Sequence, residues 1–129
     1  MYNMIKYAKS HEYVRLIDNN EAYIGISNYA QSELGEIVFV EYFDSADISQ
    51  VLQQNDCFGS IEAVKTVSEL FSPVECKILE INEIINDTPE VINEDAENSG
   101  WLLRVKLLNP EQLNDLMDLS QYQEFCNNK

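Results

Sequence analysis

The sequence contains few residue patterns that could perform chemistry by themselves. It has no glycine-rich phosphate-binding loop, no HExxH zinc motif and no GxSxG nucleophile motif. His11 is the only histidine, and no other feature marks it as a catalytic base, so a structural role is favoured. The three cysteines, Cys57, Cys76 and Cys126, lack CxxC spacing, which indicates free thiols in a reducing compartment. We therefore predict no catalytic residue and no metal site.

Lys65 has an unusual position among the charged residues. It is the only basic side chain between Arg15 and Lys77, a stretch that contains eleven acidic residues. Segments with strand composition, 58–61 and 67–71, lie on either side of it. If these strands pair, Lys65 lies at the tip of an exposed hairpin, where a modifying enzyme can reach it and its flexible side chain can serve as a tether. The alternative interpretation is an ordinary solubilising lysine.

The elements that must position this lysine are mostly short strands. The predicted strands are 14–17, 22–26, 37–40, 57–62, 67–71, 76–81 and 101–108. A turn at Asp18-Asn19-Asn20 joins the first two into a hairpin, and the third has the β-branched and aromatic composition of a buried strand. Within the last, Leu103, Val105 and Leu107 share one face, as expected for a half-buried strand.

Helices are predicted at a few positions by their end signals. Ser27 is a suitable N-cap for a helix over Asn28–Leu34, which Gly35 would end. Residues 84–93, interrupted by Pro89, indicate one helical turn and a loop. Asn109-Pro110 marks another helix start. Ser120 with Gln123 predicts a capping box for a last short helix.

Length and charge limit the class of protein. The chain has 129 residues, of which 45% are hydrophobic, and a formal net charge of −15. This is enough apolar material for one domain with a real core, while the negative charge argues against nucleic acid and anionic membranes as partners. No apolar stretch is long enough to span a bilayer, and the first residues have no secretory signal, so we expect a cytoplasmic protein.

The segment around Lys65 resembles a known attachment site. Residues 62–69, EAVKTVSE, followed by SPV, are similar to the lipoyl-attachment segment of the glycine cleavage system H protein family. Residues 6–13, KYAKSHEY, resemble the N-terminal signature of that family. Further matches follow in order through 24–40, Gly100-Trp101 and the leucine-rich tail, so the resemblance covers nearly the whole chain.

The resemblance implies that Lys65 carries lipoate through an amide on its ε-nitrogen. Biotin acceptors resemble Met-Lys-Met, whereas the neighbours here are Val64 and Thr66. In the family the lipoyl arm takes an aminomethyl group from glycine at the pyridoxal-phosphate decarboxylase (P) subunit and presents it to the tetrahydrofolate-dependent aminomethyltransferase (T) subunit. The dihydrolipoyl dehydrogenase (L) subunit reoxidises the arm, and a lipoate-attaching enzyme installs it. The H protein is a non-catalytic carrier in this scheme.

The resemblance also implies a cleft that holds the loaded arm. The family residues that help hold it match Ser10, Glu12 and Glu69, with Glu69 standing where the family often has Asp. The alternative interpretation is that Ser10 caps a turn and Glu12 is solvated. Two other departures from the family leave the local backbone open: Cys76 stands where the family usually has Gly, and Ala96-Glu97 replaces a frequent Pro-Tyr.

The fold implied by the resemblance is mainly β. We expect residues 1–129 to form a single lipoyl-carrier domain, a monomer, as a barrel-sandwich hybrid of two antiparallel sheets with short helices and a C-terminal helical tail. Two alternatives for function stay open. One is an H-like protein that mainly relays lipoate to other enzymes, which the match at Ser10 and Glu12 disfavours. The other is a non-lipoylated acidic interaction module, which the intact segment around Lys65 disfavours.

Overall fold

A computed structural model describes residues 4–18, 20–44 and 46–128. In this structure, two antiparallel sheets form the molecule. The strands are β1 (Ile5–Tyr7), β2 (Glu12–Leu16), β3 (Glu21–Ile26), β4 (Ile37–Tyr42), β5 (Val51–Leu52), β6 (Cys57–Ala63), β7 (Val67–Phe71), β8 (Cys76–Ile81) and β9 (Leu103–Leu107). One sheet has the order β1-β2-β3-β9-β8-β5, and the other has the order β4-β6-β7. The predicted fold class is confirmed.

Within the described residues, four short α-helices and one 3-10 helix connect and cover the sheets. They are α1 (Asn28–Leu34), α2 (Ile84–Asp87), α3 (Val91–Asp95), the 3-10 helix (Pro110–Asp115) and α4 (Leu119–Asn127). The α1 prediction is confirmed at both ends: the Ser27 hydroxyl accepts a hydrogen bond from Ala30 N at 3.0 Å, and Gly35 follows with φ 80°. A left-handed residue ends a helix cheaply when it is glycine, because no Cβ is present to clash.

All seven predicted strands form, five of them with an end shifted by one or two residues. β7 and β8 have the predicted bounds, and the turn between β2 and β3 forms where Asp18 accepts hydrogen bonds from Asn20 N and Glu21 N, both at 3.0 Å. Asn19, in the middle of that turn, lies outside the described residues. The prediction of a buried strand at 37–40 was wrong in part, because Phe39 is 52% exposed. β1 and β5 were not predicted, since two or three residues are too few to show an alternating pattern.

Two helix predictions need correction. Residues 84–93 contain two helices, α2 and the start of α3, on either side of Pro89, rather than one turn and a loop. The capping box of the last helix begins two residues earlier than predicted. Asp118 accepts from Gln121 N at 2.8 Å, and the Gln121 side chain accepts from Asp118 N at 2.9 Å. With this start, Tyr122 lies in the first turn of α4, where it is buried.

The two departures from the family cause no strain. Cys76 begins β8 in the buried core, and the described non-glycine residues with positive φ are His11, Ser49 and Asn55. Glu97 has partners of its own: its carboxylate accepts hydrogen bonds from Tyr7 OH at 2.7 Å and from Asn28 N at 2.8 Å. The acidic replacement therefore joins β1 to the start of α1.

Both sheets contribute to one hydrophobic core. The predicted inward face of β9 is confirmed, with Leu103, Val105 and Leu107 buried. From the smaller sheet, Phe58 and Ile61 of β6 join the same buried cluster. The hairpin β6–β7 is thus held at its base by the core, and its tip extends away from it.

Candidate functional site

Lys65 lies at the tip of the hairpin formed by β6 and β7. The last paired residues are Glu62 and Val67, and the turn is closed by a hydrogen bond from Ala63 N to Thr66 O at 2.8 Å. Val64 N donates to Glu36 O at 3.0 Å, which ties the tip to the segment before β4. The side chains of Val64, Lys65 and Thr66 are all exposed. The lysine is therefore accessible on a turn whose backbone is fixed.

Close packing of the strands makes this hairpin stiff. Ile61, Ala63 and Leu70 are buried on its inner side. At Gly59, an added Cβ would lie 2.3 Å from the Glu41 carbonyl oxygen, so β4 and β6 approach more closely than any other residue would allow. A stiff support positions an exposed side chain reproducibly, because the strands below it cannot move separately.

A cleft of about 190 Å³ lies beside β7. Its walls are the turn before β2, one face of α1 and the edge of the smaller sheet. Ser10, Glu12 and Glu69, the three residues that the sequence grouped, all line it. Lys65 does not line it. Glu69 follows Lys65 by four residues, a separation of at most about 13 Å for a fully extended chain. Only a long extension of the lysine side chain could therefore reach into the cleft.

Glu12 is the buried carboxyl of the cleft, with 2% of its surface exposed. Ser10 Oγ donates a hydrogen bond to one of its oxygens, and Phe71 N donates to the other at 3.1 Å. Burial disfavours the charged form and raises the pKa of Glu12 to about 7, although both hydrogen bonds favour the carboxylate. The interpretation of Glu12 as a solvated residue is therefore wrong, and the Ser10 hydroxyl is directed at Glu12 rather than at a turn.

Glu69 presents a second, exposed carboxylate at the same cleft. Its Oε2 accepts a weak hydrogen bond from Cys57 Sγ at 3.7 Å. Apolar side chains of Ile26, Leu34 and Ile61 form other parts of the lining. Glu33 of α1 also lines the cleft, at its exposed rim. The cleft thus combines an apolar surface with three carboxylates, which suits a guest with an aliphatic body and a cationic end.

The sequence did not identify the wall formed by α1 or the part played by His11. His11 lines the cleft with φ 77°, and its Nδ1 lies 2.6 Å from Tyr122 OH, which is also 2.6 Å from Ser27 Oγ. One phenol of α4 therefore connects the turn before β2 with the cap of α1. Tyr122 is 111 residues from His11 in sequence, so no local pattern could have paired them.

Two other kinds of site were searched for in the described part of the chain. No group of three or more His, Cys, Asp or Glu side chains there is arranged to hold a metal ion. No helix among the same residues is long and apolar enough to cross a membrane.

Comparisons with known proteins agree over nearly the full length. A family model described as "Glycine cleavage H-protein" matches residues 5–129. Glycine cleavage system H proteins of Staphylococcus epidermidis RP62A and Staphylococcus saprophyticus are 47% and 46% identical to the chain. These matches cover 92% and 93% of this chain and 91% and 92% of the two proteins. The crystal structure of a glycine cleavage system H protein from Mycobacterium marinum has 26% identity and a TM-score of 0.82, with 95% of both chains covered.

Proposed function

The chain belongs to the glycine cleavage H-protein family, and we propose that it is the lipoyl carrier of a glycine cleavage system, with lipoate attached to Lys65. The observation that carries this proposal is the exposed lysine at the tip of a fixed hairpin, one arm's length from a cleft lined by three carboxylates. Residues 1–129 act as one lipoyl-carrier domain in this proposal, because both sheets share a core.

The cleft fits the group that the family implies. When bound, lipoate supplies a dithiolane that accepts the aminomethyl group of glycine from the decarboxylase and yields it to the tetrahydrofolate-dependent aminomethyltransferase. Ile26, Leu34 and Ile61 would contact the aliphatic part of the arm, and Glu12 and Glu69 would face its amine. A cation next to Glu12 favours the carboxylate, so docking of a protonated amine would release the proton that Glu12 holds near neutral pH.

The chain's own residues in this role bind, orient and shelter; they do not turn over substrate. Ser10 orients the Glu12 carboxylate, and Phe71 N holds its second oxygen. The walls limit access of water to the arm terminus, where hydrolysis would waste the aminomethyl group. The P, T and L subunits and a lipoate-attaching enzyme are the partners that this function requires, and the catalytic chemistry belongs to them.

The first test is the intact mass of the protein expressed with lipoate available, with peptide mapping across residue 65. We expect one lipoyl increment on Lys65 and none in Lys65→Arg, which keeps the charge but cannot form the amide. A second lipoyl domain modified in the same cells serves as a control. An unmodified wild-type chain in such cells would refute the carrier function and leave the acidic interaction module as the better interpretation.

Glu12→Gln tests the cleft and separates glycine cleavage from simple lipoate relay. The variant keeps the shape but loses the charge that faces the amine, so hydrolytic loss of the methylamine group from the loaded arm should accelerate roughly tenfold. Loading with glycine and purified decarboxylase, followed by timed intact-mass spectra, measures this rate. Glu94→Gln, which removes an exposed carboxylate of α3 outside the cleft, is the matched control. Equal loss rates in wild type and Glu12→Gln would remove Glu12 from the site.

A further inference from the structure

The outer face of the smaller sheet carries exposed apolar residues next to Lys65. Val38, Phe39, Val64 and Val67, here called the hairpin patch, are 41%, 52%, 64% and 63% exposed. Phe39 of β4 pairs with Glu62 of β6, and Glu62 pairs with Val67 of β7. Cross-strand partners share a face of the sheet, so Phe39 and Val67 flank Glu62 in one outward row.

This face is uncovered because the core uses only the other side of the sheet. The neighbouring row, formed by Val40, Ile61 and Ser68, points to the opposite side, where Val40 and Ile61 are buried in the core and Ser68 is exposed at the cleft. Large apolar side chains on strands usually pack against something, and a cluster of them left in water marks an interaction site more often than a single one does. The hairpin patch is not needed for the fold.

The charges around the hairpin patch all have one sign apart from the lysine itself. Glu62 lies within the outward row, and Glu41 lies in the next outward row. Glu69 belongs to that second row through its pairing with Ser60, but it lies on the edge strand β7, where it also lines the cleft. Lys65 is the only basic residue in β4, β6, β7 or the turn between the last two. A partner that fits this face has an apolar centre and a basic rim.

We propose that the hairpin patch is the docking surface for the enzyme that acylates Lys65. This inference rests on the proposed function, since it assumes that Lys65 receives a lipoyl group. The acylating enzyme must bring the activated carboxyl carbon of lipoate to bonding distance of Lys65 Nζ, at the base of the future arm. Enzymes that act on the lipoyl group after its attachment contact the far end of the arm instead. They therefore have less need to bind the turn that carries Lys65.

The reaction itself uses only groups that this encounter supplies. The unprotonated Nζ attacks the carbonyl carbon of lipoyl adenylate, formed from lipoate and ATP; an amide bond forms, the bond to the phosphate oxygen breaks, and AMP leaves with the electron pair. The nitrogen loses one proton to solvent, and pyrophosphate is the other product of adenylate formation. A second copy of this chain is a poor occupant for the same face, because it would bring the same carboxylates against Glu41, Glu62 and Glu69.

The test measures acylation by a purified bacterial lipoate–protein ligase with lipoate and ATP. Phe39→Thr/Val67→Thr removes apolar surface from two exposed strand positions and places threonine, which favours strands, at both. We expect KM for the protein substrate to rise about tenfold with kcat unchanged. The matched control is Val51→Thr/Ile84→Thr, which changes two exposed apolar residues of β5 and α2. Thermal unfolding checks that both proteins are folded.

Binding without turnover gives an independent readout. In a Lys65→Arg background, which the ligase cannot modify, the patch substitutions should raise Kd for the ligase by a similar factor, and added salt should weaken binding of the unsubstituted patch. Unchanged KM and Kd, or equal changes in the control, would overturn the proposal. A wild-type dimer that the patch substitutions dissociate would also overturn the proposal, because it would show that this face binds a second copy of the chain. Absence of any acylation at Lys65 would overturn the carrier function and this docking surface together, and the mass spectrum identifies that case.

Discussion

At the scale of single residues, the cleft depends on a carboxyl group in a place that disfavours its charge. Glu12 is buried, and its two hydrogen bonds from Ser10 and Phe71 only partly offset the loss of solvation. A cation that binds next to a buried carboxyl group favours its charged form, because the positive charge replaces the stabilisation that solvent would have given. Glu69 lines the same cleft but is exposed to solvent.

Glu12 should make the stability of the unloaded protein depend on pH. Its pKa is raised from 4.5 to about 7, so between these values the folded state binds more protons than the unfolded state. The free energy of unfolding should therefore fall as pH rises from about 4.5 to above 7, by up to about 3 kcal/mol from this group. Urea unfolding of wild type and Glu12→Gln at several pH values should show their difference changing in that window. Parallel profiles would contradict the burial argument, and Glu33→Gln supplies the exposed control.

At the scale of elements, short helices begin where a side chain can satisfy their first backbone donors. For α4 two overlapping patterns competed, Asp118 with Gln121 and Ser120 with Gln123. Both meet the local rule, so local rules could not choose. In the structure Asp118 is the N-cap of the helix. Tyr122 in its first turn is buried, stacks on Tyr7 with ring centroids 4.4 Å apart, and lies within hydrogen-bond distance of His11 and Ser27.

The capping assignment can be tested with two single substitutions. Asp118→Ala should lower the free energy of unfolding by about 1 kcal/mol, because it leaves Gln121 N without its acceptor. Ser120→Ala should have little effect, since Ser120 is exposed inside the helix and alanine is a better helix former. Chemical denaturation measures both. A larger loss for Ser120→Ala than for Asp118→Ala would mean that the helix begins at the later position.

At the scale of the whole molecule, a shared apolar core stabilises a protein whose net charge is strongly negative. The formal net charge is −15, and the ion pairs among the described residues are those of Arg104 with Glu21 and Glu80, both at 2.9 Å. All three side chains are partly exposed, so these pairs contribute little. Stability therefore comes from the apolar cluster shared by the two sheets, and repulsion between carboxylates opposes it.

Salt should therefore stabilise this protein. Raising sodium chloride from low to moderate concentration screens repulsion over the surface, and we expect Tm to rise by about 5 °C. Differential scanning calorimetry measures the change. The variant Glu94→Lys/Glu124→Lys reverses two exposed charges, which changes the net charge from −15 to −11, and should respond less. A salt response equal to that of wild type would show that the effect is not electrostatic.

Much of the molecule could be predicted from the sequence because its signals are local. The hairpin around Lys65, the helix from Asn28 to Leu34 and the inward face of β9 follow from alternation, caps and turn residues within a few positions. The arrangement of these strands into two sheets was predicted from the family resemblance, which a match over residues 5–129 confirms. β1 and β5 were missed because pairing with a neighbour, rather than composition, makes them strands.

The sequence by itself determined that this is an acidic, mainly β member of the H-protein family with one lysine isolated on a hairpin. It also named Ser10, Glu12 and Glu69 as a group, through resemblance rather than through any spacing. Only the tertiary structure decided that Glu12 is buried, that α1 and His11 line the same cleft, and that Phe39 and Val67 share the outward face beside Lys65. The physical reason is that solvation and cross-strand neighbours depend on segments far apart in the chain, whereas turns, caps and alternation depend on adjacent residues.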